Sequence, residues 1–152
     1  MEGSVETMNS FTFWQRWLFI LSLIIIAFGL GMAVLNSTPL FDLLNRQVDP
    51  IFWGAQSLPQ EALAFRGWAY GVLGATMAGW GVFIAFLAQS PFRRRERWAW
   101  NCTALGMLVW YLPDTTISLA SGVIFNAVLN TVLLALVALP LFFARKEFLC
   151  RS

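Results

Sequence analysis

Residues 17–35 read WLFILSLIIIAFGLGMAVL, an apolar run that no charged residue interrupts. As a helix rising 1.5 Å per residue it would extend about 28 Å, close to the roughly 30 Å of a bilayer's hydrocarbon core. Residues 68–87, WAYGVLGATMAGWGVFIAFL, repeat the pattern, again without a charge. Residues 98–118 form a third such stretch with Asp114 near its end, and residues 122–143 a fourth that carries Asn126 and Asn130. Backbone crossing lipid must satisfy its own hydrogen bonds, as a helix or a closed barrel, and runs this long and this uniformly apolar favour helices. The expected fold is all-α: one integral membrane domain over residues 1–152, a four-helix bundle.

The rest of the composition agrees. Of 152 residues, 59% are hydrophobic and only 12% charged, against about 25% charged in soluble domains. The mean hydropathy is +0.67. The chain has no histidine, which removes His-ligated metals and haem, His-based triads and a histidine pH switch. Its two cysteines, Cys102 and Cys150, stand alone, and no CxxC, GxGxxG, P-loop, HExxH or GxSxG string occurs. The sequence thus supplies no catalytic residue, metal site or cofactor, and a net charge of +2 is too small to suggest nucleic acid.

Lysine and arginine set the orientation. Arg16 precedes the first span, Arg93, Arg94, Arg95 and Arg97 crowd the turn between spans two and three, and Arg145, Lys146 and Arg151 follow span four. Only Arg46 and Arg66 remain for the other side. Both termini and the arginine turn are therefore expected in the cytoplasm. The first run reads as a retained span and not a cleaved leader, because Glu2 and Glu6 precede it and no A-x-A pattern follows.

Residues 36–67 form the one substantial loop, on the outer side. Ser37-Thr38-Pro39 reads as a hydroxyl-capped helix start. FDLLNRQVDPIFW (41–53) then reads as a short interfacial helix with its apolar side down. Pro59-Gln60-Glu61 restarts a helix that runs on into span two. Trp14, Trp17, Trp98 and Trp100 fall at the inner boundary, and Trp53, Trp68, Trp110 and Tyr111 toward the outer one, the depths that amphipathic rings prefer.

Span two carries a helix-packing seam. Gly67, Gly71, Gly74, Ala78, Gly81 and Ala85 recur at spacings of four and three, which gathers them into a stripe of roughly 80°. Small residues let backbones approach closely, the source of helix association in lipid. The expectation is that span two is the central helix, with Trp68, Val72, Trp80, Phe83 and Leu87 turned toward lipid or another subunit.

The polar residues of the outer half form the candidate site: Asp114, Arg66, Tyr70, Trp110, Tyr111, Asn126 and Asn130. Intramembrane carboxylates are rare; they pair, line water or do chemistry. One reading makes the group interhelical glue, with Asp114 paired to Arg66 and the two amides bonded across helices. The other makes it the lining of a pocket that holds the polar head of a lipid-like ligand.

RGWAYGVLGATMAGWGVFIAF (66–86), PFRRRERWAWN (91–101) and WYLPDTTIS (110–118) resemble a family of small four-span bacterial inner-membrane proteins with no known activity. The likeness covers spans two and three and implies a bacterial inner membrane. A looser architectural similarity exists to four-helix proteins that handle small lipids and sterols, which place several acids in an occluded cavity where this chain offers Asp114 alone. The expected function is non-enzymatic: a polytopic protein among membrane lipids that binds a lipid-like ligand in an outer pocket. The alternative is an accessory subunit of a homo-oligomer or larger membrane complex, and further readings are a lipid- or quinone-modifying enzyme and an oligomeric transporter.

Overall fold

In a computed structural model that describes residues 2–54 and 57–149, all regular structure among those residues is helical. Helix α1 spans Glu2–Leu35, α2 Asp42–Trp53, α3 Gln60–Leu87, α4 Arg97–Ala120 and α5 Ile124–Leu149. Cys150 and Arg151 lie outside the described residues. Three segments are long and apolar enough to cross a membrane: Ser10–Leu35, Gln60–Phe92 and Ile124–Phe148, with mean hydropathies of 2.8, 1.8 and 2.4. Helix α4 has the length, at 24 residues, but Asn101, Asp114 and a run of hydroxyls dilute its apolarity. The chain is therefore a helical membrane protein with three clear span candidates where the sequence led us to expect four.

The long helices pack side by side in the order α3, α1, α5, α4. This corrects the expectation that span two is central. Helix α3 lies almost wholly against α1 and barely reaches α4, while α1 touches both α3 and α5. The reason is on α1, where Gly29 and Ala33, four residues apart, present a second small stripe to Gly74 and Ala78. A methyl group added at Gly74 would stand 2.5 Å from the Ala33 nitrogen and the Gly29 oxygen, and one at Gly29 2.6 Å from the Ala78 nitrogen. Two facing small-residue stripes bring the backbones into direct contact, and one such pair saturates the seam. Trp80 also departs from expectation. It is half-buried, its ring 5.3 Å from that of Trp110, so large rings fill the gap between α3 and α4 that small residues would have closed.

One proline inside a helix is met by a side chain from a neighbour, and two further side chains bond helix carbonyls near prolines. Pro140 in α5 has no N–H for the Leu136 carbonyl one turn earlier. The Trp17 indole of α1 donates to that oxygen at 3.1 Å. Trp100 of α4 donates to the Leu141 oxygen at 2.8 Å, and Gln15 of α1 donates to the Ala88 oxygen at 3.0 Å, where α3 widens into a π turn over Ala88–Phe92 around Pro91.

The arginine turn closes one end. Phe11, Phe92 and Phe148 form a triangle with ring centroids 4.7–6.0 Å apart. Arg95 lies 4.6 Å over Phe11 and pairs with Glu147 at 2.9 Å, and Arg97 Nε donates to the Phe148 oxygen at 3.0 Å. Arg95 adopts φ 61°, a left-handed turn conformation that costs a non-glycine residue roughly 1 kcal/mol per position, and these three contacts offset it. Arg93 and Arg94 stay exposed.

Candidate functional site

At the opposite end α1 stops at Leu35. Asn36 Nδ2 donates to the Met32 oxygen at 3.0 Å and to the Gly67 oxygen of α3 at 3.4 Å, tying the top of α3 to that stop. Thr38 does not cap the following helix as the sequence led us to expect. Its hydroxyl turns back and donates to the Leu35 oxygen at 2.7 Å, because the last carbonyls of α1 are the unsatisfied groups within its reach. A short turn, Pro39–Phe41, then leads into α2.

Helix α2 has 12 residues, a length of about 18 Å, and spans the expected interfacial segment. The turn before it meets α1 through Phe41, whose ring is 6.0 Å from that of Phe28, while α2 itself touches α3 through an ion pair between Asp49 and Arg66 and the α4–α5 turn through Ile51 beside Gly122. Part of this helix is inverted relative to an ordinary surface helix, although Asp42, Arg46 and Gln47 remain exposed. Leu43 and Phe52 are 66% and 54% exposed, whereas Asn45 is 7% exposed. Asn45 and Asp49 stand one turn apart, on the side facing the protein.

That inverted face and the start of α3 enclose an open groove of about 400 Å³, lined by Asp42, Asn45, Arg46, Asp49, Pro50, Gly54, Leu58 and Arg66. The size falls within the 300–1,000 Å³ of small-ligand sites. Its four charged side chains sum to zero. Arg66 and Asp49 hold one another, while among the described residues Asp42 and Arg46 have no ion-pair partner. Three oxygens buried behind this groove lack a hydrogen-bond partner within the protein: Asn45 Oδ1, Asp49 Oδ1 and, one turn along α3 from Arg66, the Tyr70 hydroxyl. Buried polar atoms are satisfied in the great majority of cases, so three in one place call for a cause.

The seven residues expected to form one pocket divide between two places. Arg66 lines the groove, and Tyr70 lies buried one turn from it on α3. Asp114 lies between α4 and α5, where its Oδ1 accepts from Asn126 Nδ2 and Asn130 Nδ2, both at 2.8 Å. Asn126 also donates to Ser118 Oγ at 2.8 Å, and Asn130 to Thr115 Oγ1 at 3.3 Å. The pairing of Asp114 with Arg66 is therefore replaced by a carboxyl–amide clamp, because two amides one turn apart on α5 reach Asp114 directly while α2 supplies Arg66 with Asp49. Tyr111 shares a 3.1 Å hydrogen bond with Thr131, and Trp110 packs on Trp80. Among the described residues no hydrogen bond or ion pair joins the clamp to Arg66 or Tyr70.

Sequence reasoning missed Asn45, Asp49 and Arg46 as site residues. The signal was there: Asp42, Asn45 and Asp49 recur at helical spacing of three and four, a polar stripe on a helix otherwise rich in large apolar residues. As for chemistry, the groove offers hydrogen-bond acceptors below and a cation at its rim. No group of three or more metal-binding side chains occurs among the described residues. Comparison of the chain with models of known families, with curated proteins and with solved structures gives no match.

Proposed function

We propose that this chain is a non-enzymatic, four-span protein of a bacterial inner membrane that holds the polar head of a lipid-like ligand in the groove between α2 and α3. Helix α4 serves as the fourth span. Its Thr103, Asp114, Thr115 and Ser118 turn onto α5 or its own backbone, Asn101 and Thr116 stay exposed, and Leu105, Leu108, Val109, Leu112 and Ile117 are exposed too. An apolar outer face over a satisfied polar inner one is what lipid permits. With four spans the ends of the chain share a side, and the exposed Arg93, Arg94, Arg145 and Lys146 favour the cytoplasm for it. The groove then opens at the outer headgroup level.

The observation that carries the reading is the groove itself: a cavity of about 400 Å³ lined by charged and amide side chains beside the apolar Pro50 and Leu58, which the proposed topology sets at the depth where a lipid has polar atoms of its own. The Asp114 clamp has its donors engaged internally and reads as the joint that fixes α4 to α5.

Native mass spectrometry of the protein released from nanodiscs tests this. Wild-type protein should retain one or two lipid molecules that Arg66→Ala, with Asp49 left unpaired, loses. Equal retention by both would end the proposal. Cysteine labelling that reached positions 93–97 from the periplasm would overturn the orientation.

A further inference from the structure

The arginine end of the molecule carries more positive charge than the protein itself neutralises. Arg16, Arg93, Arg94, Arg97, Arg145 and Lys146 are all exposed. The two acids whose side chains are described there are already engaged, Glu147 by Arg95, and Glu96 by the Trp98 indole and, at 4.0 Å, by Arg94. Among the described residues Arg145 and Lys146 have no acidic partner.

Position and order set these two apart from Arg93 and Arg94. Phe142 precedes them by three and four residues, so its ring, 73% exposed, lies one turn along α5 from both. Leu139 and Val132, also exposed, continue the same stripe along a helix long and apolar enough to cross a membrane. The two cations therefore cap an apolar strip. The Arg145 guanidinium is also held, 6.0 Å over the Trp100 ring, and Trp100 is fixed in turn by its bond to the Leu141 oxygen. A charge already held in place loses little freedom when an anion arrives. Arg93 and Arg94 lie in the turn beyond α3, and among the described residues no ring holds either of them.

The backbone does not compete for these cations. The C-terminal end of a helix carries partial negative charge, but the Phe148 oxygen at the end of α5 accepts from Arg97 Nε at 3.0 Å. Arg145 and Lys146 are left for an anion from outside the chain.

We infer that this corner binds an anionic phospholipid, at the opposite end of the molecule from the groove between α2 and α3 and independently of it. The phosphate lies between Arg145 and Lys146, and the acyl chains descend along Phe142, Leu139 and Val132. Basic residues beside membrane helices suit such heads. A zwitterionic head would bring its own cation against these two and is disfavoured.

The test is native mass spectrometry of protein released from nanodiscs holding equal parts of palmitoyl-oleoyl phosphatidylglycerol and phosphatidylcholine. Both faces of a nanodisc carry the same lipids, so orientation plays no part. Wild-type protein should retain the glycerol lipid over the choline lipid. A cation at the membrane surface is worth about fivefold toward an anionic lipid, so Arg145→Gln with Lys146→Gln should lower that ratio roughly twentyfold. Arg93→Gln with Arg94→Gln removes the same charge from the turn and should lower it by about twofold at most, because exposed charges at a distance are screened. Melting temperatures are recorded to show that both variants fold. A lipid in the groove is common to all three proteins and drops out of the comparison. Equal retention of the two lipids by the wild type, or equal losses from the two double variants, overturns the assignment and leaves the groove reading standing. Inorganic phosphate at millimolar concentration serves as competitor. Failure to displace the lipid supports a membrane-borne ligand, and displacement overturns it in favour of a free anion.

Discussion

Glycine to alanine at two positions of α3 should have opposite effects on stability. Gly74 and Gly79 are five residues apart in one helix, so alanine removes the same backbone entropy cost at each, a gain of about 0.5–1 kcal/mol. Nothing lies within 4 Å of a Cβ at Gly79, and the gain there should be realised in full. At Gly74 the new carbon would stand 2.5 Å from two backbone atoms of α1, about 0.9 Å inside ordinary contact. Backbone atoms in a helix cannot swing aside, so α1 and α3 must part by most of that distance. A gap of 0.5–1 Å forfeits about a quarter to a half of each contact's attraction, and overpacking of this kind costs about 1–3 kcal/mol. The net result is a loss of about 1–2 kcal/mol for Gly74→Ala, set against a gain of about 0.5 kcal/mol or more for Gly79→Ala. Reversible unfolding in mixed micelles, followed by tryptophan fluorescence, measures both. Shifts of the same sign and size at the two sites would refute the seam between α1 and α3.

Asp114→Asn keeps an oxygen to accept from Asn126 and Asn130 and should change stability by less than about 1 kcal/mol, whereas Asp114→Leu takes from both amides their shared acceptor, leaving only Ser118 and Thr115, and should cost about 1–3 kcal/mol; the same unfolding assay compares them. Trp17→Phe should cost about 1 kcal/mol by depriving the Leu136 carbonyl of its donor. In the Pro140→Ala background, where a backbone N–H returns to that carbonyl, most of this cost should vanish, and additive losses in the double-mutant cycle would contradict the assignment. Arg95→Ala, which removes the bond to Glu147 and the contact over Phe11, should lower stability by about 1 kcal/mol with weak salt dependence because the pair is three-quarters buried.

Most of the helical plan was legible because lipid imposes a length and a polarity that few residues can disguise. Residues 17–35, 68–87 and 98–118 fall inside long helices, and 122–143 does so from Ile124 onward. What escaped were relations between helices. The stripe on α3 was plain, but which helix it meets depends on a matching stripe, and Gly29 and Ala33 are sparse enough to pass as ordinary members of an apolar run. Asp114 was recognisable as a residue in need of partners, yet depth alone could not choose between Arg66 and the asparagines of α5. The groove was hidden for a different reason. In water a helix turns its polar side out, but Asn45 and Asp49 of α2 turn inward, so a stripe that read as a solvated face lines a groove.

The indole of Trp17 bonded to the carbonyl that Pro140 leaves bare links α1 to α5 across more than a hundred residues. Translation delivers α1 to the bilayer long before α5 is made. The donor is already waiting when the proline-bearing helix arrives with a defect that hydrocarbon alone would not tolerate. Helix α5 therefore completes its own backbone only by docking on α1, so that its integration doubles as a check that α1 is in place.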